Sequence, residues 1–93
     1  MLNAYRNAIR QFAELQARRG LPGQFIRHQV MADEVNDPTL ISQRVYGTRA
    51  ESQAVMAAAG VSFVWEEIPL DEIILPRPDQ LLKIKRMTGM VTA

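Results

Sequence analysis

Side chains that could perform acid–base or metal chemistry occur at few places in this sequence of 93 residues. Three pairs of neighbouring acids are present: Asp33 and Glu34, Glu66 and Glu67, and Asp71 and Glu72. Two carboxylates can act as acid and base or hold a hard cation. However, neighbours on a strand point to opposite faces, and the spacing of a calcium-binding loop is absent. We therefore expect these acids to lie on a solvated surface.

His28 is the single histidine, and the chain contains no cysteine. Thiolate zinc sites, iron–sulfur clusters, disulfides and a cysteine nucleophile are therefore excluded. No serine lies in a recognisable nucleophile motif that could use His28 as a base. The five glycines are dispersed and form no phosphate-binding loop. We expect no catalytic residue, no bound metal and no cofactor, and we expect His28 to be partly buried or on the surface.

Charge is segregated along the chain, although the formal net charge is only +1. Residues 1–30 contain five arginines and one acid, residues 31–80 contain nine acids and three arginines, and residues 81–93 contain three bases. The basic residues could contact nucleic acid, but aromatic residues are not interleaved with them and the acidic middle would repel phosphate. Pairing of these blocks within the chain or with neighbouring copies is the preferred interpretation.

The clearest predicted element is an amphipathic helix over residues 3–19. Its apolar positions recur at three- and four-residue steps, and they are Leu2, Tyr5, Ile9, Phe12 and Leu15. Arg10 and most other charged residues fall elsewhere around the helix. Gly20 and Pro22 supply the stop. Such a helix can pack on its own domain or dock on another protein, and the sequence leaves both uses open.

Further elements follow in the order strand, helix, helix, strand. Alternating residues predict a strand over 25–31, and Asp37 as N-cap with Pro38 predicts a helix over 38–46 that ends at Tyr46-Gly47. A second helix is predicted over 49–59, with a capping box formed by Thr48 and Glu51 and with Gly60 as its end. Residues 73–76 are expected to form a strand, and Leu81–Ile84 is a further candidate strand. The expected class is α+β.

The segment 61–68 could be a strand or an extended loop, and it contains the only tryptophan. Two interpretations of Trp65 and Phe63 stay open. The pair could cover the small core above the second helix, or it could anchor a protein interface, where tryptophan and arginine are enriched. The last residues, 86–93, show no clear period and are expected to form a tail that becomes ordered on a partner.

Residues 25–76 resemble the LysM module, in which two short helices pack on a two-stranded antiparallel sheet. Four segments match its pattern in order: Asn36-Asp37-Pro38, Ile41 to Gly47 (ISQRVYG), Met56 to Gly60 (MAAAG), and Ile73-Ile74-Leu75-Pro76. The chain departs from the pattern where Val35 and Ala59 replace the usual glycine and asparagine, and the segment from Ser62 to Pro69 lengthens one loop. In LysM domains that bind N-acetyl sugars, the two loops, here 35–39 and 61–70, form the binding groove.

A LysM-like module that departs from the usual pattern and carries terminal extensions is similar to small tail and baseplate proteins of contractile-tailed bacteriophages. The resemblance implies an N-terminal arm (1–24), a LysM-like module (25–76) and a C-terminal extension (77–93). It implies a non-catalytic protein made in the host cytoplasm and located in the virion, where it joins tube, hub, sheath or wedge subunits in several copies. The alternative is a module that binds peptidoglycan or related N-acetyl glycans. The apolar stretches are too short to span a membrane, and no basic segment followed by an apolar one opens the sequence, so we expect no signal peptide. The residues expected to bind partner proteins are Leu2, Tyr5, Ile9, Arg10, Phe12, Trp65, Lys83, Lys85 and Arg86.

Overall fold

The computed structural model describes residues 2–19, 23–63 and 65–90, and in this part of the chain an α+β fold is formed by four α-helices and a two-stranded sheet. The elements are α1 (Leu2–Arg19), β1 (Ile26–Gln29), α2 (Pro38–Tyr46), α3 (Ser52–Ala59), β2 (Glu72–Leu75) and α4 (Pro78–Met87). Short 3-10 turns at Ala32–Glu34 and Arg49–Glu51 precede α2 and α3. The expected α+β class is confirmed.

The sheet pairs β1 with β2 in antiparallel register. Ile26 lies opposite Leu75, and His28 lies opposite Ile73. Both predicted strands are present, although β1 is shorter than the predicted range of 25–31. Leu75 is fully buried and Ile73 nearly so, because alternate residues of β2 face the helices.

Helix α2 begins and ends where the sequence predicts. Helix α3 ends as predicted but begins at Ser52 rather than at residue 49, because Arg49–Glu51 forms a 3-10 turn. Asp37 accepts a hydrogen bond from the Leu40 N–H, and Gly47 adopts a left-handed φ of 75° at the end of α2. Thr48 accepts from the Ala50 N–H, but the predicted capping box with Glu51 is wrong. The Glu51 carboxylate instead binds Lys85 of α4, because α4 packs close to this turn.

Helix α1 packs on the rest of the chain and contributes to its core. Tyr5, Ile9 and Ala13 are buried against α3, β2 and α4, whereas Leu2 and Leu15 are exposed. The buried stripe is therefore narrower than the predicted one. Of the two uses left open for this helix, packing on its own domain is the one that the structure shows. Gly20 and Pro22, the predicted stop, lie outside the described residues.

The prediction of a strand at Leu81–Ile84 is wrong, because these residues belong to α4. Pro78 occupies the first turn of α4, and the Gln80 side chain accepts a hydrogen bond from the Arg77 N–H. Leu81 is buried and Ile84 is half-buried, so the apolar residues recur with a helical spacing of three. Arg86 and Met87, predicted to begin a disordered tail, also lie in α4, and residues 91–93 are outside the described part.

One core joins all the elements. It contains Tyr5 and Ile9 of α1, Ile41 of α2, Val55 of α3 and Leu75 of β2, among others. Residues 61–63 and 65–68 form a loop rather than a strand, and Val61 and Ile68 anchor it in the core. Within the described ranges, no helix combines the length and hydropathy that crossing a bilayer requires.

Candidate functional site

A groove with a volume of about 490 Å³ lies between the first half of α1 and the end of α3. Arg6 and Arg10 line it from α1, and Gly60 to Phe63 line it from the segment that follows α3. We call it the arginine groove. None of the lining residues in the described part of the chain is acidic, so the groove is positively charged.

Hydrogen bonds to the backbone hold both arginines in place. Arg6 donates from Nη1 to the Ser62 carbonyl at 2.9 Å and from Nη2 to the Val61 carbonyl at 2.6 Å. Arg10 donates to the Ala58 carbonyl at 3.0 Å and to the Glu14 carboxylate at 3.1 Å. The last carbonyls of a helix lack partners within the helix and carry partial negative charge, so the Arg10 guanidinium bonded to the Ala58 carbonyl stabilises this end of α3. Arg6 holds the segment that follows α3. Arg6 has five N–H donors and uses two of them in these bonds, so among the described residues its other donors have no hydrogen-bond partner.

A stacked aromatic pair stands beside the arginine groove. The rings of Phe63 and Trp65 are nearly parallel, with centroids 4.7 Å apart. Trp65 is 75% exposed and Phe63 is 53% exposed, so the interpretation that this pair covers the core is wrong. The Glu66 carboxylate accepts hydrogen bonds from the N–H groups of Ser62 and Phe63 and so closes the turn that presents the rings. An exposed tryptophan next to arginines has the composition of a protein-interface anchor.

A second polar cluster surrounds the buried Glu34 and includes His28 of β1 and Arg44 of α2. One of its carboxylate oxygens accepts from the Met31 N–H at 2.7 Å and contacts His28 Nε2 at 2.9 Å, and the other accepts from Arg44 at 2.8 Å. Arg44 also forms a bidentate ion pair with the exposed Asp33. Burial opposes ionisation of Glu34, but the bonds from Met31, His28 and Arg44 outweigh it and hold its pKa below the usual value.

The Glu34 cluster joins the end of β1 to α2, and we interpret it as structural. Both carboxylate oxygens contact protein donors, and the Glu34 side chain is fully buried, so it is not accessible to a ligand. The expectation that both acids of this pair are solvated is correct for Asp33 and wrong for Glu34. His28 is partly buried, as expected.

A smaller groove, of about 260 Å³, separates the α2–α3 connection from α4. Lys85 crosses it to form a 2.5 Å ion pair with Glu51. The hydroxyl of Tyr46, which lines the same groove, donates to the Pro76 carbonyl, and burial raises its pKa. Lys85, one of the residues expected to bind a partner, is thus engaged within the chain.

The remaining residues that were expected to bind partners lie in different parts of the structure. Tyr5 and Ile9 lie in the core and offer no surface to another protein, and Phe12 is half-buried. Lys83 and Arg86 are exposed on α4. Arg10 and Trp65 belong to the same region, because Phe63 both lines the arginine groove and stacks on Trp65.

Arg6 and Phe63 are additional site residues that were not among those expected to bind. The spacing of Arg6 and Arg10, one helical turn apart, was a visible signal. Their carbonyl partners lie 48 to 56 residues further along the chain, and no motif announces them.

Across residues 2–19, 23–63 and 65–90, no group of three or more histidine or acidic side chains is arranged to hold a metal ion. Comparisons with models of known protein families, with curated proteins and with solved structures find no match to this chain.

Proposed function

We propose that this chain is a structural protein of a contractile phage tail or baseplate, and that it joins neighbouring subunits through an exposed docking surface. The observation that carries a docking role is the exposed Phe63–Trp65 stack beside the arginine groove. Exposed aromatic rings are costly in water unless another surface covers them. Assignment to a phage tail rests on the LysM resemblance described above.

Local features of residues 26–75 support a LysM-like module. The strands at its two ends pair with each other, and two short helices connect them. The turn before α2 is capped by Asp37, α2 ends at Tyr46-Gly47, and α3 ends at Gly60 with a φ of 76°. These are the places where the sequence resembles the LysM pattern.

The test is whether purified contractile-tail particles of the source contain this protein and need its docking surface. We expect mass spectrometry to find the chain in the particles. We expect the substitution Trp65→Ala to reduce particle yield while the circular dichroism spectrum of the isolated protein stays unchanged. Met87→Ala is the matched control, because Met87 is 73% exposed and lies on α4. Absence of the protein from the particles, or normal yield of the Trp65→Ala variant, would refute the proposal.

A second candidate function is binding of N-acetyl glycans. The observation that favours it is the hydrogen bond from the Ile68 N–H to the Val35 carbonyl, at 2.8 Å, which brings the loops 35–39 and 61–70 side by side. In LysM domains that bind sugars these loops form the groove. Retention on purified peptidoglycan, released by soluble oligomers of N-acetylglucosamine, is the expected result. Failure to bind at low ionic strength would exclude this function.

A further inference from the structure

Ion pairing within the chain leaves two sets of charges without a partner of opposite sign in the described residues. Most acids are paired, including Glu14 with Arg10, Glu72 with Arg27 and Glu51 with Lys85. The acids outside the ion pairs are Glu66, Glu67 and Asp71. The corresponding bases are Arg6, Arg18 and Arg19 of α1 and Lys83 and Arg86 of α4. Unpaired negative charge is thus confined to one loop, and unpaired positive charge to two helices.

The loop that holds the unpaired acids also holds the most exposed apolar groups of the region. In addition to Phe63 and Trp65, Leu70 is 64% exposed. We call residues 62–63 and 65–71 the aromatic-acidic loop. A partner surface that fits it must supply positive charge and accept aromatic rings. Arginine does both, since its guanidinium pairs with carboxylates and stacks on indole faces.

The arginine groove of the same chain has these properties. Of its two arginines, Arg6 is outside the ion pairs and Arg10 is paired with Glu14, which does not line the groove. No lining residue in the described part is acidic, and asparagines at positions 3 and 7 complete the side formed by α1. One face of the Trp65 ring stacks on Phe63, and the large exposure of Trp65 leaves its other face available.

We propose that a second copy of this chain docks on this surface, with the aromatic-acidic loop of each copy seated in the arginine groove of the other. Phe63 belongs to both features, so the loop and the groove form one continuous patch. A patch that contains both complementary halves is suited to a two-fold axis, because one rotation pairs loop with groove twice and closes the assembly as a dimer. This inference names the first partner of the docking surface proposed above and does not depend on the phage assignment.

Other partners would pair with or cover fewer of the exposed groups on this surface. An acidic peptide from a different protein would neutralise the groove but would leave Glu67 and Asp71 unpaired and Trp65 exposed. A nucleic acid would bring phosphates close to the same acids, which repel them. A second copy accounts for the groove, the aromatic rings and the acids together.

The first experiment is sedimentation equilibrium of the full chain over a concentration series at low and high salt. We expect a mass that rises from monomer to dimer with concentration, and weaker association at high salt, because exposed charges are screened. Trp65→Ala and Glu67→Lys should each weaken the dimer by at least about tenfold. Met87→Ala and Asp79→Lys are the controls, since both positions are exposed on α4, and they should leave association unchanged.

A second experiment tests the geometry and uses the absence of cysteine from the chain. Glu67→Cys and Asn7→Cys proteins, mixed under mild oxidation, should form a mixed disulfide in higher yield than Glu67→Cys with Lys83→Cys. A chain that is monomeric at every concentration overturns the inference, as does a dimer unaffected by Trp65→Ala and Glu67→Lys. A monomer that is nevertheless found in tail particles would overturn the inference and leave the proposed function standing.

Discussion

Replacement of the buried carboxylate Glu34 by its amide, Glu34→Gln, should strongly destabilise the fold. The two side chains have nearly the same shape, so the substitution changes charge and hydrogen bonding without opening a cavity. In the native protein one carboxylate oxygen accepts a hydrogen bond from the Met31 N–H and contacts His28, and the other accepts from Arg44. A glutamine keeps one oxygen, and its NH₂ group must face a donor at the other position. At least one of these donors therefore loses its acceptor.

The magnitude follows from these contacts. A hydrogen bond to a charged group contributes about 1.5–3 kcal/mol. Breaking a fully buried ion pair from one side costs about 3–5 kcal/mol, and the Glu34–Arg44 pair costs less than that because Arg44 is 41% exposed. Since glutamine retains part of the network, we expect the free energy of unfolding to fall by about 2–4 kcal/mol. Asp33→Asn is the matched control, because Asp33 pairs with the same Arg44 but its side chain is 58% exposed. An exposed pair is worth less than about 1 kcal/mol.

Urea unfolding at neutral pH, followed by circular dichroism, measures both variants. Trp65 fluorescence is a poor probe because the ring is already exposed in the folded state. For a chain of this size, a loss of 3 kcal/mol moves the unfolding midpoint by roughly 2 M urea. If Glu34→Gln and Asp33→Asn shift the midpoint equally, the Glu34 cluster does not stabilise the fold as argued.

Two further predictions concern the same fold. Because the Glu34 pKa is lowered from its usual value of 4.5, the native state binds fewer protons than the unfolded state near this pH. The free energy of unfolding should therefore fall as the pH drops below about 4.5. Urea midpoints measured at pH 7 and at lower pH should fall less for Glu34→Gln than for the native protein. In α1, Ile9→Ala should lower the free energy of unfolding by about 2–5 kcal/mol, because Ile9 is fully buried. Leu15→Ala should lower it by less than about 1 kcal/mol, because Leu15 is exposed, and thermal unfolding measures both effects. Equal effects of the two α1 substitutions would indicate that this helix is an arm rather than part of the core.

The helices with local signals were predictable from the sequence, and the long-range contacts were not. The bounds of α2 follow from Asp37, Pro38 and Gly47, which act within one turn of the residues they cap. The error at Leu81–Ile84 arises because a short apolar run fits a strand or a buried helix face equally well. Pro78 at the start of α4 was the signal for a helix.

The candidate site was predicted only in part for the same reason. Arg10 and Trp65 were selected by residue type, but Trp65 is exposed because its loop turns outward from the core between Val61 and Ile68. The roles of Arg6 and Glu34 depend on groups that are distant in sequence, so spacing could not reveal them. The exposure of an acid or an arginine is decided by the surfaces that pack around it.

The bonds from α1 to the end of α3 also affect folding during synthesis. Arg6 binds carbonyls 55 and 56 residues further along the chain, and Ile26 of β1 pairs with Leu75. At about 5–20 residues per second, α1 leaves the ribosome roughly 3–10 seconds before the segment that covers its apolar side. During this interval Tyr5 and Ile9 are exposed to other nascent chains and to chaperones. The fold can therefore be completed only when nearly the whole chain has emerged, and truncated products that end before β2 should be removed by proteases.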